Sequence, residues 1–427
     1  MIIMIKLVLL VVFYLTFPLL IIYLCKKWSL LQKVGTIALS YLFGLILGSS
    51  GIFPEGSDQY KLVLQGRVAL PGAELEQLIN NGTIPVEDKF VNQIASVQDL
   101  IPTIVVPLAF PLLLFSLNIK RWLKYAKKGF ISVALALVAG LVMVTAGFFI
   151  WKDTIPDSWK LAGMFEGIYT GGTPNFVAIK MALNVDPSLF VIVSTYDIVI
   201  GAGLVLFFIT IAPRIFRFIL PKFSEEKGIS LEAGIIVKET ETLDDFSGMM
   251  NKKTLLPLLK ALGISVIIFA LAGGLSLAFP GLPQMVVVIL TITTLSILAS
   301  LIKPLNRIEK TFQLGMFLIL IFSLTVASMA DLKSMFGTGM LNLILFISWC
   351  YFGSLILHLI LAKIFRIDAD NFLITATAFI FSPPFVPLVA NALKNKDVIV
   401  TGITGGIIGY ILGNYFGIAL AYFLKGF

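Results

Sequence analysis

The chain has 427 residues, of which 58% are hydrophobic and 13% charged, against about 45–50% and about 25% in an ordinary soluble domain. A helix needs about 20 apolar residues to cross a bilayer core of about 30 Å, and the sequence offers twelve such segments, which excludes a water-soluble fold. One histidine (His358) and two cysteines (Cys25, Cys350) exclude a zinc cluster, a haem site and a disulfide framework. The net charge of +8 falls in clusters beside the apolar segments, so it reports orientation in a membrane and not nucleic-acid binding.

The first span fills most of residues 1–29 and is followed by Lys26, Lys27 and Lys33. With no small-residue cleavage pattern it reads as a retained span, and its basic flank places the amino terminus outside. A second span covers about 34–53. Residues 54–98 carry six acidic against three basic residues and read as an external loop, with a short helix predicted over PGAELEQLINNG between Pro71 and Gly82. The third span, near 100–119, holds Pro102, Pro107 and Pro111, which predict kinks. It ends on Lys120, Arg121, Lys124, Lys127 and Lys128, so the fourth span (about 130–151) runs outward.

Two apolar segments follow, 161–184 and 187–212, before a basic linker over 213–253. If both crossed, that linker, Lys260 at the start of the next span and the later basic loops would put thirteen Lys and Arg residues outside, against the positive-inside rule. Segment 161–184 contains Gly171, Gly172 and Pro174 in its middle, a combination costly inside a helix. It is therefore expected to be a re-entrant hairpin of two half-helices, with a broken crossing helix as the alternative. Further spans fall near 255–275, 283–302, 312–331 and 340–363, then a second interrupted segment, 371–394, with Pro383, Pro384 and Pro387, and a last span near 397–423.

The two interrupted segments align without gaps, Gly172–Leu183 against Ser382–Leu393, and Phe115-Ser-Leu upstream of the first matches Phe322-Ser-Leu upstream of the second. The predicted fold is all-α and polytopic: about ten crossing helices plus two interrupted ones, in two inverted repeats, 1–212 and 254–427, joined by a cytoplasmic linker over 213–253. Both termini are then outside. Inverted repeats with paired interrupted helices are the pattern of secondary transporters.

The stretches GIYTGGTPNFVAIKMAL with the following DPSLF and STYD, and the late GIIGYILGNYFGIALAYF, resemble the membrane family numbered 819 among the domains of unknown function. That family is grouped with the cation/proton antiporter and anion transporter superfamily and is similar to bile-acid sodium symporters. The resemblance implies a core domain with two crossing interrupted helices, a scaffold domain and a homodimer.

Candidate site residues follow from chemistry in an apolar setting. Asp197 lies about ten residues into its span, where an isolated charge costs about 2.5–3.5 kcal/mol, so it reads as a Na⁺ ligand or proton carrier, or as a structural partner of Lys180. Thr170, Gly171, Gly172, Thr173 and Asn175 surround the first interruption, whose freed carbonyl, hydroxyl and amide oxygens suit a hard cation. Asp197 and Asn175 are the Na⁺ candidates. Ser382, Pro383, Pro384 and Asn391 are the counterparts at the second interruption. Glu166 is expected at partial depth, either with a substrate or proton role or snorkelling to the interface; Lys180 reads as a residue of the external mouth, and His358 as a packed or interfacial residue. Gly405, Gly406, Gly409 and Gly413 suit close helix packing.

The function expected is secondary active transport by alternating access, coupled to Na⁺ or H⁺, of a small organic anion or amino-acid-like solute. No cofactor is expected, unless Na⁺ is the coupling ion. An ion channel is the alternative, and an intramembrane enzyme a weaker one, since no HExxH or GxSxG setting and no P-loop is present. The expected partners are solute, coupling ion, lipid and a second copy, without nucleic acid; the expected location is the bacterial inner membrane.

Overall fold

The computed structural model describes residues 2–64, 67–115, 129–223, 245–330, 340–395 and 397–427. The basic cluster at 120–128, most of the predicted cytoplasmic linker, and Asp331 and Lys333 lie outside the described residues. Within them the chain is helical, with no strand. In chain order the helices are α1 (Ile2–Lys27), α2 (Ser29–Val34), α3 (Thr36–Ser49), α4 (Asp58–Leu64), α5 (Gly72–Asn80), α6 (Asp88–Phe115), α7 (Gly129–Trp151), α8 (Ser158–Leu183), α9 (Pro187–Thr210), α10 (Ala212–Ile219), α11 (Lys252–Leu277), α12 (Gln284–Ser300), α13 (Lys303–Asn306), α14 (Thr311–Ser328), α15 (Met340–Ser348), α16 (Ser354–Ile364), α17 (Ala369–Phe381), α18 (Val386–Leu393) and α19 (Ile399–Leu424). A π-helical turn, Trp349–Gly353, joins α15 to α16.

Eight helical stretches among the described residues are long and apolar enough to cross a membrane; Thr36–Ser49, Gln284–Ser300 and Ala369–Phe381 are shorter apolar helices. Many large apolar side chains on the long helices, such as Leu9 on α1 and Ile267 on α11, are exposed. In water such a surface would drive aggregation; it is the surface a bilayer solvates. The protein is a multi-pass membrane protein.

The chain divides into two compact units, each drawing on both halves of the sequence. The first comprises Met1–Val106, Val185–Ile192 and Met316–Gly337. Here α3 approaches α14 closely, because a side chain at Gly44 or Gly48 would collide with the backbone of Leu324 or Ser328, the small-residue packing that brings helices together in lipid. Beside this contact Gln98 Nε2 donates to the Tyr14 hydroxyl at 2.8 Å, which lies 2.6 Å from Ser328 Oγ.

Residues 54–98 fold as part of this unit. Helix α5 falls where the punctuating Pro71 and Gly82 predicted it. Helix α6, however, begins at Asp88, well before the predicted start near 100. The hydropathy drops there while the helix continues, and its polar first turns are used: the Asp88 carboxylate accepts from Ser57 N (3.0 Å) and Ser57 Oγ (2.6 Å), and Asn92 exchanges two hydrogen bonds with the backbone of Leu70. Prolines 102, 107 and 111 lie within α6 without ending it.

Tyr60 closes the small core of Leu70, Leu75 and Ile84 and donates to Asn92 Oδ1 at 2.7 Å. Burial, and then the Asp88 charge, push its phenol up to about 12, above the about 10 of an unfolded chain. The stabilisation linked to the protonated phenol is therefore complete below about pH 10 and lost as pH rises through about 12. Ultraviolet titration of wild type minus Tyr60→Phe should show one phenolate appearing near pH 12; a midpoint near 10 would contradict the burial.

The second unit comprises Pro107–Asn184, Val193–Gly315 and Thr338–Phe427. Its centre is α19, packed against α8 and α17.

Candidate functional site

Helix α8 carries one non-helical residue, Gly172, at φ 64° and ψ −159°, a region that only glycine enters without strain. Gly163 and Leu183 then meet: Leu183 Cδ1 stands 3.3 Å from the place a Cβ on Gly163 would occupy, and the Asn175 carbonyl carbon 3.5 Å from that place on Gly167. Straight helix would part these pairs by about 30 Å and about 12 Å. The backbone therefore doubles back beside Gly172.

The second interrupted segment has the same local form. Helix α17 stops at Ser382, which sits at φ 73° and ψ 164°, and a 3₁₀ turn, Pro383–Phe385, leads into α18. Ile374 on α17 and Val386 on α18 both pack at Gly402, and Asn395 Nδ2 donates to Asp370 Oδ2 at 2.9 Å, so the start and the end of this segment lie side by side. A clasp holds them there. Arg217 on α10 donates from Nε and Nη2 to the Asp370 carboxylate at 2.8 and 2.9 Å, and from Nη2 to the Leu393 carbonyl at 2.8 Å.

The gapless alignment pairs Gly172 with Ser382, and one residue past its end the same offset pairs Asn184 with Lys394, the left-handed caps that end the two segments at φ 47° and φ 57°. All four positions have positive φ.

Helix α19 orders the two reversals along one axis. Gly163 faces Ala421 and the Gly417 carbonyl; Thr170 and Asn175 face Gly413 and Gly409; Pro383 faces Gly406; and Ile374 and Val386 face Gly402. From residue 402 to residue 421 a helix rises about 28 Å. The two segments thus lie along opposite halves of α19 with their turns pointing at each other, and a side chain at Gly172 would strike Ser382 Oγ. Of the glycines predicted to allow close packing, Gly406, Gly409 and Gly413 do so here and Gly405 packs on Val133 of α7, with Gly402 and Gly417 added to the set.

Several sequence candidates meet at these turns. Thr170 Oγ1 donates to the Glu166 carbonyl at 2.7 Å, and Asn175 Nδ2 donates to the Gly409 carbonyl at 3.1 Å, leaving buried Asn175 Oδ1 without a partner. Gly171 is buried, while Thr173 and Ser382 are half-buried; Pro383 packs on Gly406, and Pro384 contributes backbone to the 3₁₀ turn. Beside Pro174 and Asn175 lies a cavity of about 10 Å³, also lined by Tyr410 and Phe312, enough for about one water.

Other candidates lie apart. Asn391 is exposed near the end of α18, away from the turn. Asp197 is half-buried on α9, where its carboxylate accepts from the Tyr351 hydroxyl of the π turn, and no contact joins it to Asn175, the other Na⁺ candidate. Among the described residues no cluster of three acidic, histidine or cysteine side chains could hold a metal. Glu166, expected at partial depth, is 0% exposed, and Lys180, expected at the external mouth, is 6% exposed. Both sit on a segment whose two arms pack on each other and on α19, leaving no outward face. His358 is packed, its Nε2 3.4 Å from Ser132 Oγ and its ring on Phe372.

Sequence reasoning missed Tyr351, Asp370 with Arg217, and Asn414, which donates to Thr293 Oγ1 at 3.1 Å. An isolated amide in the apolar run of α19 was the available signal for Asn414. For Tyr351, inside an apolar span, there was none.

The comparisons with known proteins agree with this class. Over 376 residues the chain is 26% identical to the uncharacterized membrane protein YjcL of Bacillus subtilis (strain 168), covering 84% of this chain and 89% of that protein. The family described as protein of unknown function (DUF819) matches residues 88–427, so this helical membrane chain belongs to the DUF819 family.

Proposed function

We propose that the protein is a secondary active transporter, built as two inverted repeats, whose solute site lies between two re-entrant hairpins. One observation carries the reading: two chain reversals lie turn to turn along a single continuous helix long enough to cross the bilayer core. If α19 crosses the membrane, the hairpins enter from opposite faces, which is the arrangement inverted repeats produce. Ten crossings with both termini outside follow, as in the charge-based count.

After each turn a helix starts, at Thr173–Pro174 and at Pro383–Val386, and its first N–H groups point back toward the junction with a partial positive charge. A small organic anion or an amino-acid-like solute suits that junction, with Thr170, Asn175 and Ser382 as polar contacts. A cavity of about 10 Å³ admits no such solute, so the turns part during the cycle. Na⁺ or H⁺ supplies the drive, with Asp197 as the coupling acid. The chain acts in the bacterial inner membrane as a homodimer and performs no covalent chemistry.

The test is uptake by proteoliposomes of labelled organic acids and amino acids under imposed Na⁺ and H⁺ gradients. Saturable uptake that stops when the gradient collapses is expected, with Asp197→Asn losing at least about tenfold of the gradient-driven rate while keeping its melting midpoint. Large unitary currents without saturation would make the protein a channel, and unaltered ion dependence in Asp197→Asn would remove Asp197 from the coupling.

A further inference from the structure

Glu166 lies six residues before the first turn, on the inbound arm of α8, and has no exposed surface. Neither carboxyl oxygen has a hydrogen-bond partner, and among the described residues no ion pair reaches it. Its Oε2 stands 3.3 Å from the place a Cβ on Gly140 of α7 would take, so the carboxyl is aimed at bare helix backbone. Snorkelling is closed to it.

The titratable groups on the surrounding elements offer no cation in contact. The π turn brings Cys350, and Tyr351, committed to Asp197. Its own segment brings Lys160, which is paired with Asp157, then Tyr169, and Lys180 on the returning arm. Helix α17 brings Asp370, held by Arg217, and α19 brings Tyr410, Tyr415 and Tyr422. Helices α7 and α12 bring none, and α16 brings His358, placed on Ser132 and Phe372, and Lys363, exposed at its far end.

An ionised carboxylate here would be a buried charge with neither counter-ion nor hydrogen bond. The neutral acid leaves only a single O–H unsatisfied, a much smaller penalty than an unpaired buried charge. The neutral form is therefore favoured.

We propose that Glu166 is a proton-binding site of the transport cycle. It carries a proton when the two turns are closed on each other, as in this structure. When α8 moves so that water reaches the carboxyl, the O–H proton passes to water and the carboxylate remains, solvated. Proton binding is then tied to the position of the first hairpin, because Glu166 is part of it, and the π turn that brings Cys350 near Glu166 also carries Tyr351, the hydrogen-bond partner of half-buried Asp197. This deepens the transporter reading, and rests on it for its meaning in the cycle. The proton itself is tested without any solute.

Infrared spectroscopy of the full-length protein in lipid at neutral pH should show the carbonyl stretch of a neutral carboxyl free of hydrogen bonds. Glu166→Gln should remove that band completely, and Asp197→Asn should leave its amplitude unchanged. If Glu166→Gln does not fold, wild type carrying ¹³C-glutamate serves instead, since Glu166 is the buried glutamate among the described residues: the band should move with the label. A spectrum with no neutral-carboxyl band, or a band that survives Glu166→Gln or ignores the glutamate label, overturns the proposal. A band that behaves as expected in a protein that transports nothing upholds the proton site and sinks the transporter reading.

Discussion

Gly172→Ala is expected to destabilise the protein by about 2–6 kcal/mol, measured as the shift in a denaturation midpoint of the purified protein in detergent. Two independent costs add. The backbone at φ 64° and ψ −159° is strained for any L side chain by about 1–3 kcal/mol, and the new methyl would displace Ser382 at the facing turn, an overpacking cost of about 1–3 kcal/mol. Gly201→Ala in α9 is the control, since nothing lies within 4 Å of its position; it should be neutral or gain up to about 1 kcal/mol. Ser382 occupies the same region of backbone space, at φ 73° and ψ 164°, with a side chain. Ser382→Gly should therefore stabilise the fold by about 1–3 kcal/mol and, if the hydroxyl binds solute, weaken uptake at the same time. Equal midpoints for Gly172→Ala and Gly201→Ala would refute the account of the turn.

Asp370→Ala is the second large effect, about 2–3 kcal/mol. Removing one partner of a wholly buried ion pair costs about 3–5 kcal/mol. Asp370 is that deep, its side chain 4% exposed, but Arg217 is 44% exposed and recovers part of its hydration. The loss also frees Asn395, whose amide donates to the same carboxylate. Because Arg217 reaches both Asp370 and the Leu393 carbonyl, the clasp fastens the start of the second interrupted segment to its end, and its removal should raise hydrogen exchange over residues 386–395 before the rest of the unit. A double-mutant cycle with Arg217→Ala isolates the pair; a coupling energy near zero would show that the clasp is incidental.

These two positions differ in how legible they were. Gly172 announced itself, because Gly171, Gly172 and Pro174 inside an apolar run contradict a continuous helix whatever surrounds them. The gapless alignment then led to Ser382, and the positive φ shared by that pair and by Asn184 and Lys394 follows from the same local logic. Asp370 and Arg217 carried no such signal. Each is a charge near the end of an apolar segment, where charges are ordinary, and 153 residues of chain separate them.

Glu166 and Lys180 were misjudged in depth for a related reason. Hydropathy reads distance along the chain, and both lie near the ends of a segment that looked shallow. Burial is set by what packs around them, and the doubled-back arms together with the glycine face of α19 cover both. Asn391 differs in the other direction: it was grouped with the second interruption because it follows it by a turn or two, while the helix phase of α18 turns it outward.

The sequence by itself determined what depends on composition and local backbone chemistry: a helical membrane chain, the approximate limits of most of its helices, and the two places where a helix could not continue. Only the tertiary structure decided which atoms those interruptions bring together. The turns meet each other because the glycines of α19 let two segments, 210 residues apart in the alignment, press on one helix from opposite ends, and such a contact depends on packing between elements that no local pattern records.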